Sequence, residues 1–315
     1  MKISANIRAS LYMMLSMLGF TVNDLFIKSL DGNLPVSQVM AIRGSMLLVF
    51  ILAIAWQQKV LSRLRELFIP LVLARSIGEA GATLLFLTAL SRLPFATISA
   101  ILQSLPLVVA IGAAIFLGEP VGWRRWIAIG IGFVGVLIII RPGSGSFDSY
   151  SVMVLGSVLF SAGRDVITRR LPKTLPSLLV SGATTVTIAT LGIVLTQAQG
   201  NWQAVSGVQF ATMGIASFFL FFGYQFIVLA MRTGDVAYVV PFRYTSLLWA
   251  VIFGYFVFKE VPDFYTVLGS SIVIFTGLFT LYREIIAGRR SVLSTAAQSQ
   301  GNVWHERNQQ SRHKK

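Results

Sequence analysis

Apolar residues in this chain come in long, nearly uninterrupted runs separated by short polar segments. Ten such runs cover residues 8–29, 36–56, 67–90, 94–117, 123–140, 150–169, 177–197, 208–231, 235–258 and 263–283. Each approaches or reaches the roughly 17–25 residues that a helix needs to cross a bilayer. Backbone groups cannot stay unpaired in hydrocarbon, and the two-residue alternation of a membrane barrel is missing, so the runs predict helices. Turn signals separate them, among them Asp31-Gly32-Asn33, Pro142-Gly143-Ser144-Gly145 and Thr233-Gly234-Asp235. The expected fold class is an all-α membrane protein of ten transmembrane helices.

Composition supports this. Of 315 residues, 55% are hydrophobic and 12% charged, about half the charged fraction of soluble domains. The net charge of +14 does not form a nucleic-acid-binding stripe. The bases sit in short loops and in the C-terminal tail, as the positive-inside rule requires of cytoplasmic segments. With the N-terminus inside, the cytoplasmic loops hold Lys59, Arg63 and Arg65, then Arg124 and Arg125, then Arg169, Arg170 and Lys173, then Arg232. The outer loops hold only Arg92, Arg141 and Lys259. Both termini are therefore expected in the cytoplasm, and the chain in the cell inner membrane as a multi-pass protein. The first run carries Asp24 and Lys28 and lacks a cleavage pattern, so it reads as a retained helix rather than a signal peptide. Residues 288–315 are polar and basic, and are expected to be a disordered cytoplasmic tail.

The chain repeats itself. Asn23-Asp24-Leu25-Phe26-Ile27-Lys28 resembles Arg164-Asp165-Val166-Ile167-Thr168-Arg169, and the offset between Asp24 and Asp165 also pairs Ala89 with Ala230, Ala96 with Ala237 and Glu119 with Glu260. Five runs lie on each side of the break. The division is into a first five-helix repeat (1–142), a second (143–287) and the tail (288–315). Five is odd, so the second repeat enters the membrane from the opposite side. Inverted-topology repeats of this kind build many secondary carriers, and the duplication points to transport by alternating access.

Charges inside apolar runs need a reason, because each costs at least roughly 2.5–3.5 kcal/mol at the bilayer centre. Asp24 and Lys28 share a helix face, as do Asp165 and Arg169, so each pair can neutralise itself with the base snorkelling to the headgroups. Arg75 and Glu79 stand in the same relation, with Glu79 flanked by Gly78, Ala80 and Gly81. Arg164 precedes Asp165, Arg43 lies within the second run, and Arg243 follows Pro241. A proline at mid-membrane frees a carbonyl, and Pro106 does the same in the fourth run. Asp24, Arg43, Arg75, Glu79, Arg164, Asp165, Arg243 and Tyr244 are the candidate solute-binding or gating residues. Deep arginines outnumber deep acids, which suits an anionic or acceptor-rich solute. Tyr224, Tyr238, Tyr244 and Trp249 could stack a planar ligand. Trp123, Trp126 and Trp202 read as interfacial belt residues. The chain has no cysteine, and its two histidines, His305 and His313, lie in the tail. It thus offers neither a metal motif nor a nucleophile pair for an intramembrane enzyme.

The segment Ala89-Leu90-Ser91-Arg92-Leu93-Pro94-Phe95-Ala96, with Pro106, Leu117-Gly118-Glu119-Pro120, Arg124-Arg125-Trp126 and Gly132-Phe133-Val134-Gly135-Val136, resembles the EamA family of the drug/metabolite transporter superfamily. The second half is looser, with Phe258-Lys259-Glu260 where the family has Gly-Glu and Pro241 shifted relative to Pro106. The resemblance implies ten helices, a central cavity, a small-molecule solute, the lipid bilayer as partner and no cofactor; a homodimer is allowed. Asn23-Asp24 and Arg75-Ser76-Ile77-Gly78-Glu79 resemble the branch that includes riboflavin and S-adenosylmethionine carriers. The arginines and aromatics favour riboflavin over a sulfonium cation, with an exporter of amino acids or drugs as the alternative on the same fold.

Overall fold

The computed structural model describes residues 5–30, 32–118, 122–143, 147–172, 174–233, 239–280 and 282. The tail 288–315 and Tyr238 lie outside the described residues. Within them every regular element is helical: α1 (Ala5–Lys28), α2 (Val36–Gln57), α3 (Pro70–Leu90), α4 (Phe95–Leu102), α5 (Leu105–Leu117), α6 (Trp123–Ile140), α7 (Tyr150–Arg169), α8 (Ser177–Gln199), α9 (Gly207–Thr233) and α10 (Thr245–Phe258). A further apolar helix, α11, spans Phe264–Thr280. Short 3₁₀ helices occupy Val60–Leu67 and Val240–Tyr244.

Helix ends follow local chemistry. Pro35, Pro94 and Pro176 precede α2, α4 and α8, and Pro70 opens α3. A proline costs nothing there, because the first amides of a helix have no partner. Gly118 and Gly200 end α5 and α8 at φ +67° and +59°, a left-handed conformation that glycine adopts without a Cβ penalty.

Among the described residues nine helical stretches are long and apolar enough to cross a membrane, counting α4 with α5 and the second 3₁₀ turn with α10. The last run, expected at 263–283, is helical as the shorter α11. The fourth run is not one continuous helix. The Pro106 ring cannot tolerate the helical carbonyl of Leu102, so the chain turns through Gln103 and Ser104 before α5 begins. Pro241 sits in the 3₁₀ turn that precedes α10.

The helices pack in pairs that exchange when the halves are exchanged. α1 lies against α9 and α7 against α3; α1 also meets α10 as α7 meets α5, and α2 faces α8. Close approaches use glycine. A Cβ at Gly192 of α8 would come within 2.6 Å of the α2 backbone, and one at Gly269 of α11 would meet the Gly135 carbonyl of α6 at 2.5 Å. The outward faces carry large exposed apolar residues such as Phe68, Ile115, Val208 and Phe275, the surface expected to face lipid. Trp123, Trp126 and Trp202 are exposed, in keeping with a belt position.

Candidate functional site

The two broken spans meet. Gln103, in the turn between α4 and α5, donates through Nε2 to the Tyr244 carbonyl (3.3 Å) and to Ser246 Oγ (3.1 Å) at the start of α10. Gln103 and Tyr244 are 141 residues apart, the offset of the repeat, so each break is tied to its own counterpart. Sequence reasoning overlooked Gln103. Its signal was an amide three positions before Pro106, in a run whose other polar residues are the small hydroxyls Thr97, Ser99 and Ser104.

Beneath the breaks lie two chambers. One, of about 230 Å³, is mainly apolar and is lined by Phe20, Phe86, Phe95, Leu102, Pro106 and Tyr244, with Thr21, Asp24, Ser99, Gln103, Arg243 and Ser246 among its polar groups. The other, of about 210 Å³, is polar and holds Asn23, Asp24, Arg43, Arg75, Glu79, Arg164, Thr184 and Tyr224. Phe20, Asp24 and Phe86 line both. Neither chamber alone reaches the roughly 300–1,000 Å³ of typical ligand pockets; joined across the two phenylalanines they would.

The charged network differs from helix-face pairing. Glu79 pairs with Arg164 rather than with Arg75. Arg164 Nη2 also holds Asp165 Oδ1 at 2.8 Å, so one α7 guanidinium serves both acids. Arg75 instead donates to Thr168 Oγ1 (3.1 Å) and to Thr184, tying α3 to α7 and α8. Arg43 Nη1 donates to Asn23 Oδ1 at 3.1 Å, and Asn23 Nδ2 donates to Asp24 at 2.8 Å. Arg243 has neither a hydrogen bond nor an ion pair among the described residues, and it lines the apolar chamber. Tyr244 lines that chamber, while its hydroxyl packs against Gly277 without a hydrogen-bond partner among the described residues.

Lys28 does not snorkel to headgroups and does not pair with Asp24. Its Nζ lies 3.2 Å from Glu260 Oε1, donates to the Leu93 carbonyl at 2.5 Å and stands 5.3 Å from the Phe258 ring centroid. Glu260 Oε2 accepts the Phe95 amide at 2.6 Å. These contacts join α1, the start of α4 and the end of α10 next to Phe95, which lines the apolar chamber. Sequence reasoning had noted Glu260 only as a repeat match to Glu119, which lies outside the described residues. Trp249 packs against a small cluster around Met13 and Met17 rather than lining either chamber.

Two sets of helices exchanging about a central cavity, with the broken span of each facing the other, define a polytopic membrane protein of carrier architecture. The EamA-like transporter family model matches residues 7–141 and again 149–283; the chain belongs to that family, and it is a multi-pass inner-membrane protein. An S-adenosylmethionine uptake transporter of Rickettsia felis is 29% identical over 197 residues, which is 61% of this chain and 64% of the length of that relative. A riboflavin transporter of Rhizobium johnstonii is 28% identical over 224 residues, covering 69% of this chain and 72% of the relative. A pseudopaline exporter of Pseudomonas aeruginosa is 24% identical over 263 residues, covering 81% and 89%. A protein of known crystal structure superposes with a TM-score of 0.61 at 18% identity, over 88% of this chain and 98% of the other, a likeness of fold alone.

Proposed function

We propose that this protein is a secondary transporter, not an enzyme, and that it moves a small metabolite across the inner membrane by alternating access. In this reading the chain forms ten transmembrane helices as two inverted five-helix repeats with both termini in the cytoplasm, α11 being the tenth. The observation that carries it is the meeting of the two broken spans at Gln103 and Tyr244 over the paired chambers. Broken helices at corresponding positions of two repeats are where carriers bind their solutes, because freed backbone groups and polar side chains are available there at mid-membrane.

The cargo that fits best is a planar, acceptor-rich molecule such as riboflavin, taken up from outside. Its apolar ring face matches Phe20, Phe86 and Phe95, and its carbonyl and ring-nitrogen acceptors match the unpaired Arg243 with Gln103 and Ser246. In the site, four arginines (Arg43, Arg75, Arg164, Arg243) face three acids (Asp24, Glu79, Asp165), a balance that disfavours a sulfonium cation. The second reading is an S-adenosylmethionine carrier, favoured by the similarity to uptake transporters of that solute. Radiolabelled riboflavin uptake, with growth of a riboflavin auxotroph carrying this gene, separates the two. Rescue and saturable uptake are expected; absence of both, alongside saturable S-adenosylmethionine uptake, transfers the assignment to the second reading.

A further inference from the structure

A third cavity, of about 330 Å³, lies between the consecutive helices α10 and α11, with Ala96 at the start of α4 and Pro262 completing its lining. Leu247, Leu248 and Val251 follow Tyr244 along one helical face, and Thr266, Val267, Ser270 and Ile274 do so on α11. Small residues make the groove. Ala96, Thr266 and Ser270 leave unfilled the space that leucines there would occupy. From Thr266 to Ile274 the α11 face runs about 12 Å at roughly 1.5 Å per residue. That is most of the roughly 15 Å depth of hydrocarbon in one leaflet.

Nothing in the groove asks for a polar occupant. No charged side chain lines it among the described residues. Ser270 donates its hydroxyl to the Val267 carbonyl at 3.0 Å, and the Thr266 hydroxyl is bonded to Asp263. The Tyr244 hydroxyl packs against Gly277, which does not line the groove. Leu248 and Val267 are exposed, as are Phe256 and Phe275 on the same two helices. The groove therefore opens on the apolar surface that a multi-pass protein turns to lipid. An apolar cavity does not hold water, and one left empty forfeits dispersion contacts along its walls.

We propose that this groove is a binding site for one acyl chain of a membrane phospholipid, in the outer leaflet under the proposed orientation. A chain seated there packs on α4, α10 and α11 together, whereas lipid on a convex face of the protein touches one or two side chains at a time. Tyr244 lines both the groove and the apolar chamber, so one side chain borders lipid and solute alike. A seated chain therefore also supports one wall of the solute chamber from the membrane side. The site rests on the membrane residence of the chain and not on the identity of any cargo.

Photo-cross-linking of the full chain tests this, in vesicles of phosphatidylethanolamine and phosphatidylglycerol. The probe is a phosphatidylethanolamine with a diazirine midway along one acyl chain. Adducts mapped by peptide mass spectrometry should concentrate on Leu247, Val251 and Ile274. They should exceed those on Val49 and Leu159 several-fold, although the latter two are more exposed. Val251→Trp from α10 and Val267→Trp from α11 each put a ring into the groove from a position that is not buried, so neither loads the core. Either should reduce groove adducts to the level at Val49 and leave Val49 itself unchanged. Labelling that follows exposure alone, or that survives both tryptophans, overturns the proposal. Leu248→Cys, in a chain with no cysteine of its own, should form few disulfide dimers under oxidant in the same vesicles. Efficient dimers would give the groove to a second copy and overturn the proposal as well.

Discussion

Lys28, the last residue of α1, forms a 3.2 Å ion pair with Glu260, two residues beyond the end of α10. The pair is mostly shielded, with side-chain exposures of 10% and 23%, and through the Phe95 amide that Glu260 holds it sits beside one end of the apolar chamber. That end is the periplasmic one in the proposed orientation. Hydrogen bonds to charged groups contribute roughly 1.5–3 kcal/mol when shielded, and about 1.4 kcal/mol is tenfold in an equilibrium. Because the chain contains no cysteine, a single Ser99→Cys variant reports access to the chamber without background. Adding Glu260→Gln should raise its labelling by a membrane-impermeant maleimide from the periplasmic side about tenfold. Lys28→Met should do the same, and the double variant should add little. Unchanged labelling in both single variants would exclude a gating role for the pair.

The Gln103–Tyr244 link predicts a different kind of loss. Gln103 is buried at 6% exposure and bridges the two breaks. Gln103→Leu keeps the volume but removes both donated bonds, each worth roughly 0.5–1.5 kcal/mol. A lower thermal midpoint in detergent is expected, with a reduced maximal uptake rate, because the two broken spans no longer move together. Ser246→Ala should cost less, since Gln103 still reaches the carbonyl. Equal midpoints for wild type and Gln103→Leu would show that the breaks are held by packing alone.

The helices were legible in the sequence because a bilayer enforces length and apolarity so strictly that runs of residues translate directly into elements. The repeat was legible because Asp24 and Asp165, or Glu119 and Glu260, keep one offset. Pairing was not legible. Spacing of four residues put Asp24 with Lys28 and Arg75 with Glu79, yet Asp24 takes its neighbour Asn23, and the others find partners elsewhere in the fold: Glu260 for Lys28, Arg164 for Glu79, Thr168 and Thr184 for Arg75. In low dielectric, partner choice is decided by which groups converge across helix interfaces, and no local spacing encodes that. Gln103 was missed for the same reason, since its partners lie in the other repeat.

Glu79, Arg164 and Asp165 should behave as one structural unit. Removing a partner from a buried pair leaves an uncompensated charge, at roughly 3–5 kcal/mol. Arg164→Met strands two acids at once and should sharply reduce the abundance of folded protein. Glu79→Gln should be milder, because Arg164 keeps Asp165. The double variant Glu79→Gln/Arg164→Met should recover part of the loss. Size-exclusion profiles and thermal midpoints of the three variants measure this, and strictly additive losses would argue against a shared unit.

Asp263 caps α11, accepting the Thr266 amide at 2.9 Å, and it pairs with Arg141 at the end of α6. Partial burial pushes its carboxyl upward. The Thr266 hydrogen bonds and the Arg141 charge outweigh that and hold it below the ordinary aspartate range. A depressed value means stabilisation that is present above the unfolded pKa, about 3.9, and is lost as pH falls through the folded one. Asparagine caps helices as well as aspartate does, so Asp263→Asn isolates the charge. Its thermal midpoint should lie below wild type at pH 7 by the equivalent of about 0.5 kcal/mol, the pair being partly exposed. The gap should begin to close below about pH 4 and vanish only once pH is below the folded value, and a gap that persists there would assign the effect to the cap instead.

Arg243 is predicted to matter for the solute and little for the fold. Every other deep arginine of the site is engaged: Arg43 by Asn23, Arg75 by two threonines, Arg164 by two acids. Arg243 faces the apolar chamber with no hydrogen bond or ion pair among the described residues, and the acid whose charge it feels, Asp165, keeps Arg164 when Arg243 is truncated. A charge-assisted hydrogen bond to a solute acceptor is worth roughly 1.5–3 kcal/mol. Arg243→Ala should therefore raise the half-saturating riboflavin concentration about tenfold to a hundredfold, while the thermal midpoint moves little. Arg243→Lys keeps the charge but loses the planar fork, and should fall between the two. The comparison with Arg164→Met is the decisive one, because both variants delete one buried guanidinium. If Arg243→Ala lost folded protein as Arg164→Met does, its guanidinium would be holding the helices rather than waiting for a solute.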